Sequence, residues 1–413
     1  MSGCRRATWI QKPVKQVGAL NYVRIEVRQV GESVVKHGVL CLIGRSIVTI
    51  CQFFVGVAFA LFFAIGSSIL SEHRYFGVAT KNGAIAGALV CAALFVAAVT
   101  VHEFGHFLLA RATGMNVIWV RLGPILCISR RRGFRVRWQW QKGSLLGAVY
   151  ALPDPDRNLS RQFIPFTAGG PSLNIIVAVV ALLASHSSDT SSRGVLTVFA
   201  YANFFLGVAN LLPIGAKLPS DGSKLAAWLF GKQATSESTR LAALFGRSLK
   251  GQRIRDIDRS ELEALLASAD PAIRVTAGYI AIRRAMDLGD DAEFSAVVED
   301  CKNVLAGLAL PIRQALHPTW LLIEAEVAFR LAVEERRSDE LQKVLSDKAS
   351  KYFPPYLRSR LQAAKAYAIG NCTEARALSA KALRESADSF DPTAEIDEGV
   401  LLRRLDRALG TTS

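Results

Sequence analysis

Four long apolar runs constrain this chain more than any other feature: residues 46–70, 82–112, 162–184 and 194–216. A helix that crosses a bilayer takes about 20 apolar residues. The first, third and fourth runs contain no Lys, Arg, Asp or Glu. The second is uncharged for 20 residues and then meets His102, Glu103 and His106. One such run would suit a buried core helix, but four predict a mainly α-helical, polytopic membrane protein with about four spans. The 46–70 run is too long and too far along the chain for a cleavable signal peptide, so it is read as the first span.

Charge supports that division. The 413 residues carry a formal charge of +15, which by itself would suggest nucleic acid as a partner. Residues 1–233, however, hold 24 basic and only eight acidic residues, whereas 234–413 hold 26 and 27. All the excess therefore lies in the apolar half, which excludes a nucleic-acid footprint and points to a membrane. The segments 1–47, 111–162 and 215–233 carry 8, 10 and 3 Lys or Arg, and those at 71–82 and 185–193 carry 2 and 1. The positive-inside rule then puts both termini in the cytoplasm, in a multi-pass protein expected of a bacterial plasma membrane. The expected divisions are a basic segment 1–45, a membrane domain 46–233 and a cytoplasmic helical domain 234–413. The seven cysteines (4, 41, 51, 91, 127, 301 and 372) form no C-x-x-C pair and suit a reducing compartment.

His102-Glu103-Phe104-Gly105-His106 reads H-E-x-x-H, expected by chance only about 0.004 times at this composition. Residues four apart share a helix face, so both imidazoles can reach one ion, and the Glu between them can take a proton from a metal-bound water. Ionisable groups at membrane depth cost a few kcal/mol and mark functional sites. A zinc hydrolase needs three protein ligands and an open position. His73 and His186 fall in the short outer loops, His37 precedes the first span, and His317 lies in the soluble half. Asp154 and Asp156 sit in a proline-rich turn. Asp221 follows the fourth span on the same side as the histidine pair and is the best third ligand.

This set of motifs resembles the site-2 protease family of intramembrane zinc metalloproteases. H-E-F-G-H in a membrane helix is followed by Ala168-Gly169-Gly170-Pro171-Ser172-Leu173-Asn174, then by Asn210-Leu211-Leu212-Pro213 and Ser220-Asp221-Gly222. The resemblance covers roughly residues 85–230. It implies zinc held by His102, His106 and Asp221, with Glu103 catalytic. Gly170 and Asn174 match the family's G-x-x-x-N element, and Asn210 and Pro213 its N-x-x-P element. Asn174 and Asn210 would then orient substrate or stabilise an oxyanion, or simply bond neighbouring helices. The chain departs from the pattern in spacing: the family usually places the Asp five residues after the Pro, and here it comes eight after.

Phe134, Val136, Trp138 and Trp140 alternate with Arg135, Arg137, Gln139 and Gln141, a strand pattern. The runs 117–120 and 125–128 would pair with it across Arg130-Arg131-Arg132-Gly133. Trp mixed with Arg suits an interfacial anchor. The resemblance implies instead a β-hairpin dipping to the active site and offering an edge to an unwound substrate.

Residues 234–413 have helical spacing, with candidate helices at 271–287, 292–307, 319–334, 338–349, 355–369 and 373–387. The 356–385 stretch resembles one tetratricopeptide-type hairpin, and a plain helical bundle fits equally. A docking surface for a protein partner is expected there. The overall expectation is a zinc endopeptidase acting on membrane proteins or peptides. The alternative is a catalytically silent membrane scaffold working through its helical tail. A transporter is disfavoured by four spans without internal repeats.

Overall fold

The computed structural model describes residues 66, 81–131, 133–139, 146–213, 219–231 and 233–410. The expected basic segment 1–45 and, apart from Gly66, the expected first span lie outside the described residues.

Helix α1 (Lys81–Ala112) carries the histidine pair. Gly114, at φ 83°, turns the chain out of it, and the Met115 N–H donates to Ala110 O. After the sheet come α2 (Leu159–His186) and α3 (Thr190–Leu211). Helix α3 stops short of the expected 194–216 run: Leu212 is extended (φ −68°, ψ 132°), the conformation that a following proline, Pro213, imposes. Three stretches, Ile85–Ala112, Leu159–His186 and Ser192–Leu211, are long and apolar enough to cross a membrane. At 1.5 Å per residue the first is about 42 Å long, against a hydrocarbon core of about 30 Å. Their polarity is inverted relative to a soluble bundle. Leu89, Phe104, Ile176, Leu183 and Phe204 face outward, whereas His102, Glu103, His106, Asn174 and Asn203 are buried between the helices. Exposed apolar surface of this extent marks contact with lipid or protein.

Between α1 and α2 the chain forms an antiparallel sheet in the order β3-β2-β1-β4, with β1 Asn116–Leu122, β2 Ile125–Arg130, β3 Gly133–Trp138 and β4 Gly147–Leu152. The expected pairing across the arginine turn is β2 with β3. Strand β4 was not expected, because GAVYAL shows no polar alternation. Side chains alternate between the two faces, and each face meets a different neighbour. Val117, Val120, Val149 and Ala151 pack on Phe107, Ala110, Phe163 and Phe166 of the membrane helices. Trp119, Leu126, Ile128 and Leu152 pack instead on Ala242, Phe245 and Leu249, from a helix that follows, and on Phe390.

The sheet thus joins the membrane helices to a helical body. Helix α4 (Asp221–Phe230) leads into α5 (Glu237–Leu249), α6 (Arg259–Leu266), α7 (Pro271–Leu288), α8 (Asp291–Ala306), α9 (Leu310–Glu335), α10 (Asp339–Ser346), α11 (Pro355–Ala368), α12 (Cys372–Ala387) and α13 (Ala394–Gly410). Its largest apolar cluster runs from Leu241 to Leu401. Four charged residues cross this interior, each at most 8% exposed. Arg360 donates to both oxygens of Glu326 at 2.8 Å and pairs with Glu398, while Arg283 bridges Glu326 and Glu398 at 3.0 and 2.8 Å.

Candidate metal centre

Two helix crossings build the site. Helices α1 and α2 meet backbone to backbone at Gly105 and Gly169, where a Cβ on Gly105 would fall 2.3 Å from Gly169 O. Small residues permit this approach between membrane helices. It brings Gly170 under both imidazoles, where a Cβ would lie 2.5 Å from His106 Nε2 and 2.8 Å from His102 Nε2. The second contact sets Asp221. Ser220 caps α4 by accepting from the Ser223 N–H. Gly222 lies so close to the end of α3 that a Cβ would fall 1.9 Å from Leu211 O. The lengthened Pro213-to-Asp221 connection still delivers the carboxylate, although 214–218 lie outside the described residues.

The result is a tight triad. Asp221 Oδ2 lies 3.0 Å from His102 Nε2 and 3.2 Å from His106 Nε2, and the two Nε2 atoms are 3.2 Å apart. All three residues are buried. The partners on the far side of each ring assign the protons. His106 Nδ1 faces the Phe166 carbonyl at 2.7 Å, so it carries a hydrogen. His102 Nδ1 faces Asn174 Oδ1 at 2.8 Å. The orientation of that amide is fixed, because Asn174 Nδ2 donates to Ala98 O at 3.0 Å and to Asn203 Oδ1 at 2.8 Å, while Asn203 Nδ2 donates to Phe199 O at 2.9 Å. His102 Nδ1 is therefore also a donor, and both Nε2 lone pairs point inward. Two imidazole nitrogens and a carboxylate oxygen, all electron-pair donors, converge where a divalent cation is the natural counter-charge.

Glu103 lies beside the triad, one residue from His102. Its Oε2 is buried and has no hydrogen-bond partner among the described residues. An unpartnered buried carboxylate oxygen is costly and calls for a water, a proton or a ligand group. Strand β4 covers the carboxylate so closely that a Cβ on Gly147 would fall 2.4 Å from Glu103 Cγ.

Among the other residues singled out in the sequence, Asn174 reaches the site from behind. It is fully buried and spends its oxygen on His102 and both amide hydrogens elsewhere, so it orients the ring. Asn210 donates to Leu206 O in its own helix at 3.0 Å and makes no described contact with the triad. Asp154 and Asp156 pair with Lys250, and His317 with Asp347. Sequence reasoning missed Asn203 and Gly147. A single amide in an otherwise apolar run was the available signal for Asn203; Gly147 gave none. Lys224, whose Nζ lies 3.3 Å from Asp221 Oδ1, was also missed.

The fold and this centre define a membrane-type helical bundle with an internal His-His-carboxylate group beside a glutamate whose Oε2 has no partner among the described residues. Residues 90–190 match the family model of Peptidase family M50, the site-2 protease family, as the motifs suggested. That stretch holds His102, Glu103, His106, Gly170 and Asn174 and ends before Asn210 and Asp221. A zinc metalloprotease of Methanocaldococcus jannaschii is 28% identical over 176 residues, covering 42% of this chain and 44% of that protein. The match thus spans less than half of the relative's length. No solved structure matches the chain significantly.

Proposed function

We propose that the chain is a zinc-dependent endopeptidase that hydrolyses peptide bonds in or near membrane-spanning segments. The carrying observation is the inward convergence of His102 Nε2, His106 Nε2 and Asp221 Oδ2 beside an unpartnered Glu103 carboxylate. The family match and the relative's name support zinc as the ion and peptide hydrolysis as the reaction. Bound by these three residues, zinc would polarise the scissile carbonyl and make a water acidic enough to act as nucleophile near neutral pH. Glu103 would accept that water's proton on its free oxygen and return it to the leaving amine nitrogen. The surrounding helices keep the site out of bulk solvent, and Asn174 holds the His102 ring so that Nε2 faces the ion.

A peptide bond inside a helix is shielded by its own hydrogen bonds, so the substrate must be extended at the cut. Strand β4 is the edge strand that meets Glu103, so the docking edge assigned from sequence to the arginine-flanked hairpin belongs to β4. A substrate strand added there would bring its carbonyl beside the Glu103 carboxylate. The charge distribution supports cytoplasmic termini and division into a membrane domain to residue 233 and a helical domain from 234.

A silent scaffold on the same fold would have no use for a buried carboxylate without a partner. Glu103→Gln separates the readings. The variant should keep one zinc per chain and lose cleavage of a co-expressed single-span substrate by at least 100-fold, the size expected for losing a general base. Unchanged cleavage would sink the mechanism, and no cleavage by the wild type of any membrane substrate would favour the scaffold.

A further inference from the structure

Among the described residues, no hydrophobic cluster covers the outer half of the sheet on the side of the membrane helices. Cross-strand partners share a face, so Val120, Cys127 and Val136 form one row, and Leu122, Ile125 and Trp138 the next. Val120 packs on the membrane helices. Followed outward, the same face becomes bare: Phe134, Val136 and Trp138 are 64%, 64% and 74% exposed, and Ile125 is 40% exposed. The apolar face that seats the sheet on α1 and α2 therefore continues past them as an overhang. Its direction is that of Phe107, Phe163 and Phe166, toward the membrane helices.

The opposite face has a different character. Trp119, Ile128 and Arg135 form one row there, and Arg121, Leu126 and Arg137 another. The inner members lie under α5 and Phe390, whereas Arg135 and Arg137 are exposed on the outermost strand. Neither makes an ion pair among the described residues. Burial, with the charges of Arg135 and Arg130, holds the Arg137 guanidinium below the ordinary arginine value. Two exposed guanidinium groups without an ion pair among the described residues, on the face opposite an apolar, aromatic one, are the pattern of elements that lie in a bilayer interface.

We propose that β2 and β3 form an amphipathic shelf that binds the anionic surface of the bilayer, with Phe134, Val136 and Trp138 set among the acyl chains and Arg135 and Arg137 on headgroup phosphates. Two observations choose lipid over a protein partner: the apolar face continues the face that packs on spanning helices, and the unpaired positive charge complements anionic headgroups. The shelf is separate from the catalytic edge, because β3 and β4 are opposite edges of the sheet. The proposal rests on α1–α3 spanning the membrane and not on peptidase activity.

Hydrogen exchange of the full chain in nanodiscs tests it. Amides of residues 125–138 should exchange several-fold more slowly in phosphatidylcholine/phosphatidylglycerol discs than in phosphatidylcholine alone. Each arginine near an anionic surface contributes roughly five-fold in affinity. The double variant Arg135→Gln/Arg137→Gln should erase that difference. Brominated acyl chains should quench wild-type tryptophan fluorescence more than that of Trp138→Phe, an effect independent of the arginines. Equal exchange in both lipids would overturn headgroup recognition, and unquenched Trp138 would overturn insertion. Protection that appears only on adding a peptide substrate would assign this edge to protein instead. Incorporation of the chain into discs checks the spanning helices separately from every one of these outcomes.

Discussion

At the scale of single residues, the site depends on side chains that never touch the ion. His102 presents Nε2 inward because Asn174 accepts from its Nδ1, and Asn174 is held by Asn203. Partners of this kind typically contribute 10- to 100-fold in metal affinity. Asn203→Leu should therefore weaken zinc retention about ten-fold in chelator competition, with the helices intact by circular dichroism. Unchanged retention would reduce Asn203 to a helix-helix contact. The residue-scale chemistry was largely legible in the sequence. His102, Glu103, His106 and Asp221 are rare residue types for their surroundings, since only eight acids occur in residues 1–233. Asn203 was not legible, because a lone amide in an apolar helix more often bonds a neighbouring backbone than a ligand's partner.

At the scale of elements, the decisive contact is the α1/α2 crossing. Backbone atoms leave no room at Gly105, where a Cβ would sit 2.3 Å from Gly169 O. Gly105→Ala must push the helices apart, and the histidines of α1 would then separate from Gly170 and Asn174 of α2. The expected result is loss of most bound zinc while the protein still inserts in the membrane, measured as metal per chain after purification. Wild-type metal content would contradict this account of the crossing. Apolar length predicted the three described helices of spanning length, while the 46–70 run lies outside the described residues; a spanning helix satisfies its own backbone and needs no distant partner. Strand pairing depends on distant partners. The alternation in 134–141 found β3, but GAVYAL is wedged between two packed surfaces and carries no alternation, so β4 was invisible. Helix α3 ends at Leu211, short of the apolar run, because the run continues through Pro213 where the helix cannot.

At the scale of the whole molecule, the helical body is fastened to the sheet beside the site. Phe245 and Leu249 cover one sheet face, Lys250 binds Asp154 and Asp156, and Arg131, just past the end of β2, pairs with Glu395 at 3.3 Å. Helical spacing predicted many of the body's helices, but neither this docking nor the charged interior, which joins residues as far apart as Arg283 and Glu398. Burial raises the pKa of Glu326, yet the charges and hydrogen bonds of Arg360 and Arg283 overcome it and hold the carboxyl below its ordinary value. A group shifted this way stabilises the fold above its unfolded pKa and loses that contribution as pH falls through its lower folded value. Glu326→Gln leaves two buried arginines undercompensated and should cost about 3–5 kcal/mol in unfolding of the helical body. The wild type should lose stability on acidification below the ordinary glutamate range, and the variant should lack that component. A change below about 1 kcal/mol would mean that the remaining three groups compensate one another.

Zinc X-ray absorption on the purified full chain asks whether two histidines and an aspartate hold an ion inside the helical bundle. One zinc per chain is expected, with two imidazole nitrogens and light oxygen ligands at about 2.0–2.2 Å, and loss of the metal in Asp221→Ala. Sulfur scattering near about 2.3 Å, or full zinc occupancy in Asp221→Ala, would contradict it.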